Sequence, residues 1–174
     1  FMAKREIFDH PVTGPLMRGM RHISVDRKNG APSFVEALKH LQRGEIVGIF
    51  PEATISRSFE LKEMKSGVTR LAIDSSAPVL PTIIWGSQRI WTKKVARDFS
   101  RSSYPISIYI GAPLFFRADP EGSLVELKNA MQELLDKAIN DYPDSPIGQR
   151  WAPARIGGTA PTPAMIEDER RKEI

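Results

Sequence analysis

Helix-forming segments alternate with short apolar segments along most of this chain, and that alternation restricts the fold more than any other feature. Apolar or alternating segments, each bounded by turn residues, predict strands at residues 22–26, 46–50, 78–85 and 106–110. Helices with apolar residues on one face are predicted at residues 33–43, 66–76 and 123–139. Strands separated by helices predict the α/β class, here a single domain in which helices flank a mostly parallel or mixed sheet.

The composition is that of an ordinary globular protein, and it excludes several kinds of site. Of the 174 residues, 41% are hydrophobic and 26% are charged. The absence of cysteine excludes a disulfide scaffold, a thiol nucleophile and a thiolate zinc site, and no metal site is predicted. The formal net charge of +4 favours anionic partners, whether phosphorylated metabolites, acidic lipid head groups or nucleic acid, without choosing among them.

The chain changes character after residue 142. Residues 1–142 are predicted to form the α/β domain. Residues 143–174 are rich in proline and end in a charged stretch, so we expect an extended or partly disordered tail with one or two helical turns near its end.

Polar side chains cluster where the strand predicted at residues 46–50 ends. Glu52, Thr54 and Ser56 follow within six residues of the strand. In α/β sheets, ligands bind beyond the carboxyl ends of the strands, and a carboxylate with two hydroxyls could bind a polyol and help to position a phosphate. An ordinary turn capped by Thr or Ser would use the same residue types.

Residues 50–56 resemble the third motif of the glycerol-phosphate acyltransferases of the 1-acylglycerol-3-phosphate type. That motif reads Phe-Pro-Glu-Gly-Thr-x-Ser, and this chain departs from it by having Ala53 in place of Gly. The family's second motif, Lys-x2-Leu-x6-Gly-x12-Arg, is matched at Lys4, Ile7, Gly14 and Arg27, with Ile in place of Leu.

Two further segments agree with the family in order and spacing. Pro81 lies in an apolar strand, as the proline of the fourth motif does, and Lys65 precedes the glycine that opens the next predicted helix. The resemblance covers roughly residues 1–115 and implies a glycerol-3-phosphate acyltransferase-like fold.

The resemblance also implies roles for individual residues. Lys4 and Arg27, with Lys65, would bind the phosphate of a glycerol phosphate by charge-assisted hydrogen bonds, in one pocket with the loop that carries Glu52. Glu52 would accept a hydrogen bond from a substrate hydroxyl or orient the loop. Thr54 and Ser56 would cap the turn or contact the phosphate. Arg57 could supply the charge that the family often has where this chain has Ile55.

The resemblance implies an O-acyltransferase without a cofactor. It would transfer a fatty acyl group from acyl-CoA or an acyl carrier protein to lysophosphatidic acid or a related glycerol phosphate, in phospholipid biosynthesis. The family's catalytic motif, His-x4-Asp, does not occur in this sequence, so no catalytic residue is assigned. Because the motif precedes the second one, we expect it upstream of Phe1. A catalytically silent module that binds anionic lipid or phosphate is the alternative.

The nearest imitation of that motif is His22 with Asp26, which would stand about 13 Å apart on a strand, too far for a dyad. His10 is expected near a helix start, and His40 on the exposed side of a helix.

Aromatic and basic residues interleave between residues 85 and 101, a stretch that could be helical. Such a mixture suits a membrane surface, an acyl carrier protein or coenzyme A, but a solvated basic helix with core aromatic residues would look the same. We expect a peripheral or membrane-associated protein on the cytoplasmic side of a membrane. No helix-turn-helix, zinc or base-stacking signature predicts a nucleic-acid partner.

Overall fold

The computed structural model describes residues 1–93 and 103–172. Contacts divide the chain into two compact units. Unit 1 comprises Phe1–Pro51, Lys65–Val79 and Leu114–Val125. Unit 2 comprises Glu52–Met64, Leu80–Pro113 and Glu126–Ile174.

Strands and helices alternate in the order β1, α1, α2, β2, α3, α4, β3, β4, α5 and α6. The strands are β1 (Met2–Lys4), β2 (Ile23–Val25), β3 (Thr82–Trp85) and β4 (Ser107–Ile110). The helices are α1 (Arg5–Asp9), α2 (Thr13–Gly19), α3 (Ala31–Gln42), α4 (Gly67–Ser75), α5 (Pro120–Asn140) and α6 (Pro163–Lys172). Short 3-10 turns lie at Ser87–Arg89 and Ala154–Ile156.

Unit 1 is built on a parallel pair of strands. β1 and β2 run side by side, with Lys4 opposite Val25. Ile23, Ala37 and Leu71 form the buried core that joins β2 to α3 and α4. Because parallel strands are covered by helices in this way, the predicted α/β class is confirmed.

Unit 2 is built on an antiparallel pair. β3 and β4 pair along their full lengths, and Ile83 and Trp85 pack with Leu135, Ala138 and Tyr142 in its core. The predicted half-exposed strand at residues 106–110 is confirmed, with its isoleucines on the outward face. The two strand pairs together make the strand arrangement mixed.

The buried strand predicted at residues 46–50 is wrong. These residues form no regular strand, and Ile46 and Phe50 are 97% and 66% exposed. Val47 and Ile49 still pack on the core of unit 1, and the Gly48 carbonyl accepts a hydrogen bond from the Met2 N–H at 2.9 Å. The apolar run is therefore an extended segment with one buried face.

The start of α3 also differs from the sequence prediction, because Ser33 and Glu36 have the spacing of a capping box that would make Ser33 the N-cap. The helix begins at Ala31, and Gly30 is its N-cap. The Ser33 hydroxyl donates a hydrogen bond to the Gly30 carbonyl at 2.8 Å, inside the first turn. Pro32 explains the earlier start, because its fixed φ suits the first helical turn and its missing N–H costs nothing there.

The region after residue 142 is packed more closely than its proline content predicts. Ala152 and Ala160 are buried, and Pro153 is among the most buried side chains described. The Gly148 N–H donates to the Gly157 carbonyl at 2.8 Å, which closes residues 148–157 into a loop. The charged stretch forms most of α6, a helix of 10 residues and longer than predicted.

Gly86, directly after β3, is required by its backbone conformation. Its φ is +99°, and a Cβ atom would lie 2.1 Å from the Pro105 carbonyl oxygen. We expect Gly86→Ala to lower the free energy of unfolding by roughly 2 kcal/mol or more, because both the strained φ and the backbone clash oppose it. Urea denaturation measures the change. Gly19→Ala is the control: its Cβ would meet nothing within 4 Å. A Gly86→Ala protein as stable as this control would contradict the account.

Ala53 also has a left-handed backbone, with φ +54°. Gly adopts this conformation without the Cβ strain of about 1–2 kcal/mol, which explains why the family motif has Gly here. We expect Ala53→Gly to raise the free energy of unfolding by about 0.5–1 kcal/mol, since relief of strain exceeds the added entropy of the unfolded chain. Ala130→Gly, inside α5, should instead lower it by about 1 kcal/mol. Losses of equal size in the two variants would show that Ala53 is unstrained.

Candidate substrate-binding site

Lys4 and Arg27 lie at the same edge of the parallel strand pair in unit 1. Lys4 ends β1 and is paired with Val25, which ends β2, and Arg27 follows two residues later. Both side chains are exposed. Parallel strands present their carboxyl ends at one edge, so the pairing brings together two cations that are 23 positions apart in sequence (27 − 4).

Asp26 fixes the turn that carries Arg27. Its carboxylate accepts a hydrogen bond from the Lys28 N–H at 2.8 Å, which is the main reason that the pKa of Asp26 is lowered. Arg5, the residue after β1, donates to the same carboxylate at 3.4 Å. The Arg5–Asp26 pair therefore connects the two strand ends from which the candidate phosphate-binding residues project.

Gly14, the third residue of the matched second motif, has a backbone role. It is buried in α2, and a Cβ atom there would lie 2.2 Å from the Phe8 carbonyl oxygen. The same carbonyl accepts a hydrogen bond from Arg18 at 2.9 Å. The motif's glycine thus allows α1 and α2, which connect β1 to β2 along the chain, to pack closely against each other.

Lys65 precedes the helix that the sequence predicted. Its side chain is exposed, and its N–H donates to the Pro51 carbonyl at 3.0 Å. Helix α4 begins two residues later, at Gly67, which confirms the predicted helix start. The backbone contact holds the start of this helix beside the end of the extended segment 46–50.

Glu52 and Ser56 line one cavity of about 180 Å³ in unit 2. Burial raises the pKa of the half-buried Glu52 carboxyl, and the N–H and charge of Lys62 offset this only in part. The oxygens of this carboxyl group can accept a hydrogen bond from a hydroxyl group. The other walls are mainly apolar, among them Phe59, Leu61, Ile83, Trp85 and Leu135.

The hydroxyl of Ser56 is engaged within its own loop. It donates to the Glu60 carbonyl at 2.7 Å and lies 3.1 Å from the Ser58 hydroxyl. Thr54 is exposed beside the strained Ala53. Glu60 also lines the cavity, and sequence reasoning missed it, although its position four residues after Ser56 in the same loop was an available signal.

Arg57 has a carboxylate partner. Its guanidinium donates to Glu169 of α6 at 2.6 Å, and its side chain is 18% exposed. This contact favours a role in holding the loop over direct contact with a phosphate. The predicted single pocket for all these residues stays a prediction, because Lys4, Arg27 and Lys65 belong to unit 1 and the loop with Glu52 belongs to unit 2.

His22 and Asp26 form no dyad in the structure, as their separation along the strand predicted. His22 Nδ1 lies 3.1 Å from the amino nitrogen of Phe1, whereas Asp26 pairs with Arg5. His10 accepts hydrogen bonds from the N–H groups of Val12 and Thr13 at the start of α2, which confirms its predicted position.

The expectation that His40 is solvated is wrong. Its side chain is 13% exposed, with Nδ1 2.6 Å from Glu45 and Nε2 3.4 Å from Glu36. Helical periodicity places Glu36 one turn before His40, but it does not reveal Glu45, which lies beyond the end of α3. Among the residues that the structure describes, no group of three or more acidic or imidazole side chains could hold a metal ion.

The predicted aromatic and basic stretch is only partly described, because residues 94–102 lie outside the described residues. Trp85 is a core residue at 3% exposure, whereas Trp91 is 55% exposed. The Arg89 guanidinium lies over the rings of Tyr104 and Trp151, at 4.3 and 4.8 Å from their centroids, and pairs with Asp144. None of the helices in the described part of the chain is long and apolar enough to cross a bilayer.

Comparison with known proteins agrees with the motifs. Residues 1–85 match the Acyltransferase family model. A 1-acyl-sn-glycerol-3-phosphate acyltransferase of Bacillus subtilis is 37% identical over 87 residues, which cover 49% of this chain and 43% of the relative. The enzyme of the same name from Limnanthes douglasii is 35% identical over 100 residues, covering 55% and 36%. This chain therefore spans less than half the length of these two relatives.

A solved structure resembles the fold over a longer stretch. The 1-acyl-sn-glycerophosphate (LPA) acyltransferase PlsC of Thermotoga maritima matches with a TM-score of 0.65 at 20% identity, over 83% of this chain and 58% of that one. At this identity the match supports the α/β fold and nothing finer. The family model, the motif spacing and the relatives agree: residues 1–85, just under half of this chain, are similar to the acyltransferase family.

Proposed function

We propose that this chain binds the acceptor substrate of an O-acyltransferase in phospholipid biosynthesis. The reaction transfers a fatty acyl group from a thioester, acyl-CoA or acyl carrier protein, to lysophosphatidic acid or a related glycerol phosphate. The observation that carries the proposal is the common edge occupied by Lys4 and Arg27 at the ends of two parallel strands. The names of the related acyltransferases support the same substrate class.

The phosphate of the acceptor pairs with the two exposed cations. A phosphate monoester carries between one and two negative charges at neutral pH, and charge-assisted hydrogen bonds to Lys and Arg are short and strong. Arg27 supplies a planar fork that matches two phosphate oxygens, and Lys4 supplies a compact charge on the neighbouring strand. Lys65 adds a third cation in the same unit.

Glu52 binds a glycerol hydroxyl. Its half-buried carboxyl, whose pKa is raised by burial, forms a stronger hydrogen bond to a hydroxyl than an exposed carboxylate would, because water competes less. Thr54 is exposed for contact with the phosphate, and Ser56 holds the loop through Glu60. In the reaction, the free hydroxyl of the acceptor loses its proton, attacks the thioester carbonyl, and the thiol leaves. The base for this step is not assigned to any residue of this sequence.

Because the acceptor is a lipid, the proposed reaction takes place at a membrane surface. Lysophosphatidic acid carries an acyl chain that stays in the lipid phase, so the phosphate site works beside a membrane. The side of the membrane that we propose is the cytoplasmic one. The net charge of +4 favours an anionic membrane surface, and the same charge suits an acidic acyl carrier protein or coenzyme A.

One observation favours a second candidate, a module that binds anionic lipid or phosphate without catalysis. None of the three histidines has an aspartate at the His-x4-Asp spacing of the family. Acyl transfer measured with the complete protein separates the two candidates, since both bind the acceptor but only the first turns it over.

Removal of the Arg27 guanidinium tests the proposal. Isothermal titration with a short-chain lysophosphatidic acid below its micelle concentration should give a Kd at least about tenfold higher for Arg27→Ala. A charge-assisted hydrogen bond contributes about 1.5–3 kcal/mol, and 1.4 kcal/mol corresponds to tenfold. Lys4→Ala should act in the same direction, because it removes the other cation at that edge.

Arg21→Ala is the matched control. It removes the same charge from an exposed arginine that precedes β2 at the other end of the strand and pairs with Glu45. Its Kd should stay within about twofold of the wild type, apart from a small long-range charge effect. Equal weakening in Arg21→Ala and Arg27→Ala would mean that net charge, and not this edge, binds the ligand.

A further inference from the structure

The loop that carries Glu52 and Ser56 depends on contacts from outside itself. Residues 52–64 contain turns and bends but no helix or strand. Two non-glycine residues of the loop, Ala53 and Phe59, have φ values of +54° and +58°. A segment with strained backbone and no regular hydrogen bonding keeps one conformation only when its surroundings hold it there.

Arg155, near the carboxyl end of the chain, contacts this loop directly. Its Nε donates to both carboxylate oxygens of Glu60, at 2.8 and 3.0 Å. Its terminal nitrogen donates to Asp136 of α5 at 2.5 Å. One guanidinium therefore joins the loop to the longest helix of the described structure.

Glu60 links Arg155 to the candidate substrate-binding residues Glu52 and Ser56. Its carbonyl accepts the hydroxyl hydrogen of Ser56 at 2.7 Å, and it lines the same cavity as Glu52 and Ser56. Its side chain is 20% exposed, less than that of Arg155 or Asp136. Loss of the arginine would leave a partly buried carboxylate beside the cavity without its cation.

The segment that carries Arg155 is itself well fixed. Trp151 packs against the core of unit 2, and Ala152 and Pro153 are buried. Gly158 lies so close to this segment that a Cβ atom would be 2.0 Å from the Ala152 carbonyl oxygen. The backbone that carries Arg155 is therefore held in place, and the planar guanidinium loses less side-chain entropy for each hydrogen bond that it forms with Glu60.

We propose that Arg155 is a positioning residue: it holds Glu60, and through it the loop with Glu52 and Ser56, in the conformation that binds the glycerol phosphate acceptor. The role rests on the proposed function of that loop. In this proposal, the region after residue 142 holds the loop in place. The hydrogen bond between Arg57 of the loop and Glu169 of α6 is a second contact of the same kind.

An exposed ion pair alone would be too weak for this role. Such pairs contribute little, except where the geometry is bidentate or several charges form a network. Arg155 meets the second condition, because its guanidinium bonds Glu60 through Nε and Asp136 through a terminal nitrogen.

Binding of a short-chain lysophosphatidic acid by the whole chain tests the proposal. Arg155→Gln should raise the Kd by about fivefold, a modest change that fits a residue acting through another. Arg155→Lys should restore part of the loss, since an ammonium keeps the charge but not the fork. Arg150→Gln, at an exposed position of the same segment, is the matched control and should leave the Kd unchanged.

A double-mutant cycle shows whether Arg155 acts through Glu60. In a Glu60→Ala background, Arg155→Gln should raise the Kd by less than about twofold, since the group it positions is gone. Hydrogen exchange should also quicken at residues 52–64 in Arg155→Gln and not in α3, which separates a local effect from general loss of stability.

The outcomes are distinguishable. If the wild type binds and Arg155→Gln binds equally well, the positioning role is wrong and the proposed function stands. If the effects of Arg155→Gln and Glu60→Ala simply add, Arg155 does not act through Glu60. If the wild type itself does not bind the ligand, the proposed function fails and the positioning role fails with it.

Discussion

The parallel pairing of β1 with β2 is the interaction on which the candidate phosphate site depends. The two strands have three residues each, yet their register sets Lys4 opposite Val25 and so brings Arg27 to the same edge. The connection from β1 to β2 consists of α1 and α2, which pack closely against each other. Gly14 permits this packing because no side chain larger than hydrogen fits beside the Phe8 carbonyl. A backbone constraint thus places two cations that are far apart in sequence at one edge of the strand pair.

Several features follow from the sequence because they depend on local physical rules. Alternation of strands and helices predicted the α/β class, and the glycine at 67 marked the start of α4. Strand geometry predicted that His22 and Asp26 are too far apart to form a dyad, and the two side chains have different partners. Residues 1–85 of this chain match the family model, and the motif residues from Lys4 to Pro81 lie within that match.

The features that sequence reasoning missed depend on contacts between distant residues. Residues 46–50 have the apolar composition of a strand, but composition does not say whether a partner strand lies beside them. The region after residue 142 was predicted to be extended or partly disordered because proline lacks the N–H that helices and strands require. Trp151 and Pro153 are nevertheless packed, because apolar packing does not depend on backbone N–H groups. The contact between Arg155 and Glu60, 95 positions apart, leaves no local signal. Ala53 was visible as a departure from the motif, but its strain required the observed φ.

The central claim is that the edge formed by Lys4 and Arg27 binds the phosphate of a glycerol phosphate. A crystal structure of the chain with a short-chain lysophosphatidic acid is the most direct measurement. The account predicts phosphate oxygens within about 3 Å of both the Lys4 ammonium and the Arg27 guanidinium. A phosphate bound on another surface, with these two side chains unchanged and directed to solvent, would contradict it.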